Sequence, residues 1–517
     1  MTQLNRYFCE DFALRVKQQP HDIAIISSSG LEPFTLTYQQ LSEKISACLT
    51  LFQQQGLQSG DIILALLPNS IETVVIFLTT IAGGFGFAPL PCTSTSSEIK
   101  RWDTLLKPKI CFWSDILTSN TRDFLHELKT PLFNLSTDNQ FLWLQHPVEN
   151  WPHISQAKHS QVYLQTSGTT GDPKAMIIDG NRLWSSGCAF IEWHNPEHKT
   201  LRFWNYLPMS YLGGLFNLTL IPLACGGSTV IDQTFSGKTF LGFWQTVERF
   251  AINTLWFVPS IVRGLLQLAE LTNSTSTRNI SSRIEFAFIG TAPIDLPSKE
   301  KFEQLYGIRL LENFALSETT FFSSEHRTHN TLLRCEGSNG KLLPYVDVKF
   351  ILPHQNEAQT PSEMQSYEIW VKSPFLFIGY LSDYEQINIP LDIDGFFPTG
   401  DLGYLDAHQQ LVITGRQRDI IKKGGYLIYL REVEALANQY PGVTESCAVK
   451  IEHPFYGESF NLYVVAKDED NLTLSHIEAW LHANLVQHKW PEKVIMVQLL
   501  PKTISGKIMK HLLDNQE

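Results

Sequence analysis

Thr166-Ser167-Gly168-Thr169-Thr170-Gly171-Asp172-Pro173-Lys174 (TSGTTGDPK) is the stretch on which the reading of this chain turns. It follows the strand-like run Gln161–Gln165 (QVYLQ) and precedes a helix-like segment. The small residues leave backbone N–H groups open, the glycines allow a tight turn, and the hydroxyls add donors. Such a loop can wrap a polyphosphate, with Lys174 adding a point charge. The string lacks the GxxxxGK[ST] spacing of a Walker A loop, and no GxGxxG opens a helix after a strand. Gly84-Phe85-Gly86 runs straight into Phe-Ala-Pro and reads as a structural glycine cluster. Taken alone, TSGTTGDPK also fits a Ser/Thr-rich surface turn, so its context decides.

Outward from the loop, strand-like and helix-like segments alternate. Before it come a strand at Asp22–Ser27, a helix at Thr37–Gln55 with Leu41, Ile45, Leu49 and Phe52 at helical spacing, and a strand at Gly60–Leu67. A buried helix at Asn69–Gly83 and a strand at Phe85–Leu90 follow. After it come a helix at Asn181–Trp193, a strand at Leu201–Leu207, a helix at Gly214–Cys225, a strand at Ser228–Ile231, a helix at Phe240–Phe250 and a strand at Thr254–Val258. This alternation predicts an α/β architecture of parallel or mixed sheets covered by helices. Leu271–Ser282 is polar and predicts a surface loop. From Tyr345 short strand-like runs (VDVKFIL, YEIWVKS) and turn signals predict a β-rich subdomain. Near Gly415–Asp419 the chain passes into a final α+β unit. That unit has helices at Arg431–Asn438 and Ser475–Leu485 and strands at Ser446–Ile451 and Asn461–Ala466.

Bulk properties narrow the class. At 517 residues the chain exceeds one compact core, and 43% hydrophobic against 18% charged residues is a globular balance. A net charge of −12 argues against nucleic acid as a partner. The eight cysteines form no CxxC pair, so a reducing cytoplasm is the simple expectation and neither zinc nor a disulfide framework is. The N-terminus lacks the pattern of a secretory signal, and the apolar stretch Thr73–Phe87, broken by Gly83, Gly84 and Gly86, is too short to span a bilayer.

TSGTTGDPK resembles the phosphate loop of the adenylate-forming superfamily, the group of acyl- and aryl-CoA synthetases, peptide-synthetase adenylation domains and luciferases. Ala175 stands where that family usually has Gly. Further strings resemble the family's other motifs in its order. They are Gly290–Pro293 (GTAP), Asn313–Thr319 (NFALSET, with Phe314 for Tyr and Ala315 for Gly), Pro398–Asp406 (PTGDLGYLD), Gly415–Glu434 and Pro501–Leu512 (PKTISGKIMKHL). The resemblance implies a large domain over 1–415, with the β-rich part at roughly 345–415, a hinge at 416–418, and a small mobile domain over 419–517.

It also implies roles. Thr166, Ser167, Gly168, Thr169, Thr170, Gly171 and Lys174 would cradle the phosphates, and Gly290, Thr291, Asn313, Phe314 and Ser317 would line the nucleotide. Glu318, with Thr169 nearby, would bind Mg²⁺, the implied cofactor. Asp401 would accept from the ribose hydroxyls, and Arg416 would contact ribose or phosphate. Lys507 would reach the carboxylate and the α-phosphate during adenylation. Tyr211 lies where many members carry His or an aromatic, and would gate the carboxylate site or simply pack. Arg418 occupies the hinge position, and Gly424 and Gly425 would let a thiol arm pass close to backbone.

The implied reaction is attack of a carboxylate on ATP to give an acyl-AMP and pyrophosphate, then transfer of the acyl group to a thiol. The partners are ATP, a carboxylic acid, and CoA or a phosphopantetheinyl carrier protein. Leu207–Asn217 contains no carboxylate to hold an α-amine, which disfavours amino acids. Cys188–Trp193, Trp256–Pro259 and Phe286–Ile289 offer apolar lining for an aryl or fatty acid, or plain core. GGYLIYLREVE is closer to CoA synthetases than to peptide synthetases but departs at Tyr426, Leu427 and Leu430. The main expectation is an acyl-CoA ligase, with a stand-alone ligase loading a carrier protein as the alternative and an inactive nucleotide-binding scaffold as the remote one.

Overall fold

The computed structural model describes residues 5–29, 33–135, 160–166, 174–272, 281–352, 366–382, 386–423, 426–467, 473–502 and 508–513. Local chemistry explains why the predicted elements form. Thr37 caps the helix Tyr38–Gln54 with a reciprocal pair, its hydroxyl accepting from the Gln40 N–H while the Gln40 side chain accepts from the Thr37 N–H. The predicted face of Leu41, Ile45, Leu49 and Phe52 is buried. The helix Ile71–Gly83 is buried at every position except Glu72, and stops at Gly84, whose φ of 73° lies in the left-handed region open to glycine.

Among the described residues the strands assemble into sheets of thirteen, eight and five. In the eight-stranded sheet Leu132–Asn134, Ile110–Trp113, Ile62–Leu66, Gly86–Pro89 and Gln161–Thr166 run parallel. Lys174–Asp179 then returns antiparallel along Gln161–Thr166. A six-residue strand, left unassigned by the sequence reading, thus lies between the TSGTTGDPK segment and the helix expected at Asn181–Trp193, which runs over Gly180–His194. Asp179 starts that helix by accepting from the Arg182 N–H.

The thirteen-stranded sheet is parallel through Ile23–Ser27, Ser228–Ile231, Arg202–Asn205, Thr254–Phe257, Phe286–Ile289 and Leu310–Leu316. It turns antiparallel at Thr320–Ser324 and continues through Ser338–Leu342, Gln410–Arg416, Phe397–Leu405, Tyr367–Lys372 and Asp347–Ile351. The β-rich texture after Tyr345 is real, and those strands extend the parallel sheet through the hairpin of Leu310–Leu316 with Thr320–Ser324. The last sheet, with helices Leu430–Asn438 and Leu474–Asn484, encloses its own core, including Ile421, Ile428, Val433, Phe460, Leu462 and Leu481.

Two predicted helices differ from expectation. Over Gly214–Cys225 the chain forms wide turns at Gly213–Leu220 and then a short α-helix at Ile221–Ala224, with the Ile221 N–H donating to Phe216 O. Asn205 Nδ2 and Thr219 Oγ1 both donate to the Gly214 carbonyl, and Pro222 has no N–H to offer. The ordinary ladder is therefore interrupted at both ends. Phe240–Phe250 is two short helices, Gly237–Leu241 and Phe243–Arg249, broken at Gly242. In the predicted loop Leu271–Ser282, Leu271 and Thr272 still belong to the helix Pro259–Thr272, and 273–280 lie outside the described residues. Among the described residues no helix is long and apolar enough to cross a membrane.

Candidate active site

Strand pairing sets the frame of the phosphate loop. Thr166 and Lys174 are register partners, so the two ends of the intervening segment are held side by side. Ser167, Gly168, Thr169, Thr170 and Gly171 lie outside the described residues, as do the side chains of Thr166 and Lys174. The methyl of Ala175 is buried without disturbing the strand, whose Ala175 pairs with Gln165 on one side and Leu381 on the other.

The Gly290 and Asn313 segments converge at the carboxyl ends of adjacent parallel strands, the usual place for a ligand in such sheets. Asn313 Nδ2 donates to Ile289 O at 3.0 Å. A Cβ at Gly290 would lie 2.7 Å from Asn313 Oδ1, so any larger residue would have to displace the Asn313 amide. Thr291 adopts φ 74°, a conformation costly for a β-branched residue and frequent at functional turns. The Phe314 ring meets Phe322 edge-on at 5.1 Å, and Ser317 is half-buried.

Glu318 follows directly. Tyr380 OH donates to its Oε1 at 2.6 Å, and the Phe377 N–H donates to its backbone carbonyl at 2.8 Å. Tyr380 lies on the strand Gly379–Ser382, opposite Met176 on the strand that follows the phosphate loop. The Glu318 carboxylate is therefore tied to the phosphate-loop strand through one phenol, whose own pKa is pushed up by burial and by Glu318. Sequence reasoning misses Tyr380, because its partner is far away in the chain; the only signal is a phenol inside the apolar run FLFIGYL. Among the described residues no group of three or more His, Cys, Asp or Glu could hold an ion by itself. A Mg²⁺ at Glu318 would take the rest of its shell from phosphate oxygens and water, which suits that ion.

Asp401 and Arg416 are register partners on neighbouring strands, and Arg416 Nε donates to Asp401 Oδ1 at 2.8 Å. Asp401 is buried, and Gly400 before it turns at φ 69°. The two side chains expected at the ribose thus hold each other. Tyr211 is half-buried, its hydroxyl pKa raised by burial and then by Glu98. It sits on a turn where a Cβ at Gly214 would lie 2.5 Å from the carbonyl oxygens of both Leu207 and Pro208.

In the last unit, Lys507, Gly424 and Gly425 lie outside the described residues, and so does the side chain of Arg418. Their surroundings are defined. Lys502 bridges Ile508 and the Met509 N–H donates to Pro501 O at 2.8 Å, clamping the two ends of the segment that carries Lys507. Lys510 Nζ lies 3.1 Å from Asp419 Oδ1, next to the hinge position, and 3.4 Å from Glu434 Oε1. Lys510 and Asp419 are a second pair that sequence reasoning misses.

The fold and this convergence of segments define an adenylate-forming enzyme with a large nucleotide-side body and a small C-terminal unit. The chain matches the AMP-binding enzyme family over residues 12–381 and the AMP-binding enzyme C-terminal domain over 432–507, and it belongs to that family. Oxalate–CoA ligase of Arabidopsis thaliana is 26% identical over 506 residues, covering 95% of each chain. Medium-chain fatty-acid–CoA ligase of Escherichia coli is 27% identical over 532 residues, covering 96% of this chain and 88% of that one. ATP-bound MatB from Rhodopseudomonas palustris superposes with a TM-score of 0.86 at 25% identity, covering 98% of both chains. At family level the protein is of the AMP-forming CoA-ligase type.

Proposed function

We propose that the protein is an ATP- and Mg²⁺-dependent ligase that converts a carboxylic acid to its acyl-AMP and then to the CoA thioester. The observation that supports this reading is the tie from Glu318 through Tyr380 to the strand Lys174–Asp179, whose first residue pairs with Thr166. In the first half-reaction an oxygen of the acid attacks the α-phosphorus of ATP, the bond to the β-phosphate oxygen breaks, and pyrophosphate leaves. Lys174 offsets phosphate charge, Asp401 and Arg416 orient the ribose, and Lys507 aligns the acid with the α-phosphate. Mg²⁺, when bound at Glu318 and Thr169, supplies charge neutralisation on the phosphates. The domains are 1–415 and 419–517, and rotation about 416–418 exchanges Lys507 for the Gly424–Gly425 loop. A thiolate then attacks the acyl carbonyl and AMP departs. The relatives' acids range from oxalate to medium-chain fatty acids, so their names leave this chain's acid open.

A carrier protein is the second acceptor considered, favoured by the departures at Tyr426 and Leu427; Leu430 is buried in the core of the last unit and answers to packing instead. The test is pyrophosphate release from ATP and Mg²⁺ with a panel of acids and hydroxylamine as trap, then mass detection of the thioester with CoA or with a phosphopantetheinylated carrier. Lys507→Ala should lower acyl-AMP formation about 100-fold or more, the scale of losing one charge-stabilising group. Unchanged release by that variant would remove Lys507 from the mechanism.

A further inference from the structure

We infer that Asn69 is a positioning residue: it fixes the spacing between the sheet that leads into the phosphate loop and the sheet that carries the nucleotide-side segments. The inference rests on the adenylation reading above. Strand order sets the frame. In the eight-stranded sheet Ile62–Leu66, Gly86–Pro89 and Gln161–Thr166 are parallel neighbours, so the turn from Leu67 to Ser70 leaves the edge at which Gln161–Thr166 ends. In the thirteen-stranded sheet Arg202–Asn205, Thr254–Phe257, Phe286–Ile289 and Leu310–Leu316 are parallel neighbours, so the turn from Tyr206 to Tyr211 leaves the same edge as Gly290. Ligands of open parallel sheets bind at such carboxyl edges, and Asn69 joins the two.

Asn69 Nδ2 donates to Leu207 O at 2.9 Å, and the Met209 N–H donates to Asn69 Oδ1 at 2.9 Å. Both ends of one carboxamide thus engage one turn, which fixes distance and orientation together. Each side of the tie is held firmly. Ser70 caps the buried helix Ile71–Gly83 by accepting from the Thr73 N–H, and Thr73 Oγ1 donates to Pro68 O at 2.7 Å. On the other side Leu207 and Met209 are buried, and the Tyr211 N–H donates to Pro208 O at 3.2 Å. Gly214 packs on this turn so closely that a Cβ there would meet the Leu207 and Pro208 carbonyls. The tie has a counterpart in the bond from Tyr380 to Glu318. Gly379–Ser382, which carries Tyr380, stands two strands from Gln161–Thr166 on one side, and Ile62–Leu66 stands two strands away on the other. The two ties therefore join the sheets on opposite flanks of the strand that leads into the phosphate loop. In the other sheet the strand before Gly290 lies between the strands that precede Leu207 and Glu318. A ligand that engages both sheets at once depends on their spacing, whereas a ligand held by one sheet does not.

The test compares a ligand that spans both sheets with ligands that do not. Calorimetry measures binding of ATP, AMP and Mg²⁺–pyrophosphate to the unaltered chain, to Asn69→Ala and to Asn69→Asp. The aspartate keeps the bond from Met209 but faces Leu207 O without a donor, and it carries the same comparison if the alanine variant does not fold. The expected result is ATP weakened about tenfold, with AMP and pyrophosphate each changed less than about threefold. ATP–pyrophosphate exchange with the best acid of the panel should fall about tenfold to a hundredfold in kcat. Asn69→Gln, which restores donor and acceptor on a longer arm, should recover part of both losses. Equal weakening of ATP and AMP overturns the inference and leaves adenylation standing. So do ATP affinity and kcat within about threefold of the unaltered chain in variants with native circular dichroism. No ATP binding by the unaltered chain, together with no exchange for any acid, removes the adenylation reading and the inference with it.

Discussion

Glu318 shows how much one residue owes to a distant partner. In the proposed role its carboxylate would hold a cation at the phosphates only while its orientation is kept, and Tyr380 OH donates to it from the neighbouring strand. A hydrogen bond to a charged group contributes about 1.5–3 kcal/mol. Tyr380→Phe should therefore lower kcat/KM for adenylation about tenfold or more and raise the Mg²⁺ concentration needed for half-maximal rate, with little change in unfolding temperature. Glu318→Gln should lower it further. Titration of pyrophosphate release against Mg²⁺ checks both, and an unaltered Mg²⁺ dependence in Tyr380→Phe would detach the phenol from the metal site. TSGTTGDPK and Glu318 stood out in the sequence because they lie in short contiguous strings that resemble family motifs. Tyr380 and Lys510 did not, because a phenol or an ammonium reads alike whether it faces water or a carboxylate.

Elements carry two further consequences. The strand Leu310–Leu316, which delivers Asn313 and leads to Glu318, is anchored by a buried ionic network. Lys299 Nζ lies 3.0 Å from both Glu312 Oε2 and Glu325 Oε1, and Arg334 Nε donates to Glu325 Oε1 at 2.8 Å and Nη1 to Glu303 Oε2 at 2.8 Å. Burial acts to push the Glu325 carboxyl up, but Lys299 and Arg334 outweigh it and hold it below the usual range. Removing one member strands the others, so Glu325→Gln should cost about 3–5 kcal/mol in urea unfolding. A loss below about 1 kcal/mol would mean that the network is hydrated and screened.

The helix Gly180–His194 ends in the second feature, where His194 stacks on His326 at 5.8 Å and His326 lies 5.9 Å from His329, with Trp193 against His194 at 4.7 Å. Burial lowers all three histidines; His326 and His329 reinforce it at His194, Arg327 and Arg309 at His326, and His326 and Lys341 at His329, which comes down to about 4. The unfolded chain takes up these protons near an ordinary pKa of about 6.5, and the native chain resists them until lower pH. Stability is therefore full above about pH 6.5 and falls on acidification toward about pH 4, by about 1.4 kcal/mol per pH unit for each histidine kept neutral. Denaturant unfolding at several pH values in that window checks this. His329→Gln should flatten the slope, and an identical slope in that variant would assign the acid sensitivity elsewhere.

At the scale of the whole molecule, the last unit has a core of its own, and its connection to the rest runs through the strand Gln410–Arg416 and the turn Gln417–Asp419. Arg431 Nη1 donates to Ile413 O across this junction at 3.1 Å. Lys510 joins Asp419, beside the turn, to Glu434 on the helix Leu430–Asn438. Under the proposed alternation, Arg418→Pro should spare pyrophosphate release and abolish thioester formation, read by mass detection of the acyl-CoA. Loss of both steps, or of neither, would count against rotation at this position.

The sequence by itself determined the class of chemistry, the alternation of strands and helices and the C-terminal unit, because loop composition, hydrophobic period and turn residues act over short stretches of chain. It marked Cys188–Trp193, Trp256–Pro259 and Phe286–Ile289 as apolar but did not say whether they line a space or occupy it. Periodicity reports that a side chain leaves water, and not what it meets there. That was decided only when the helix Gly180–His194 was laid against Thr320–Ser324, bringing Phe190 and Phe321 to 4.2 Å. The wide turns at Gly213–Leu220 were decided the same way, by Asn205 reaching a carbonyl on a neighbouring element. Contacts between residues distant in sequence arise from packing, and they set what Phe190 and Phe321 meet and the hold on Glu318.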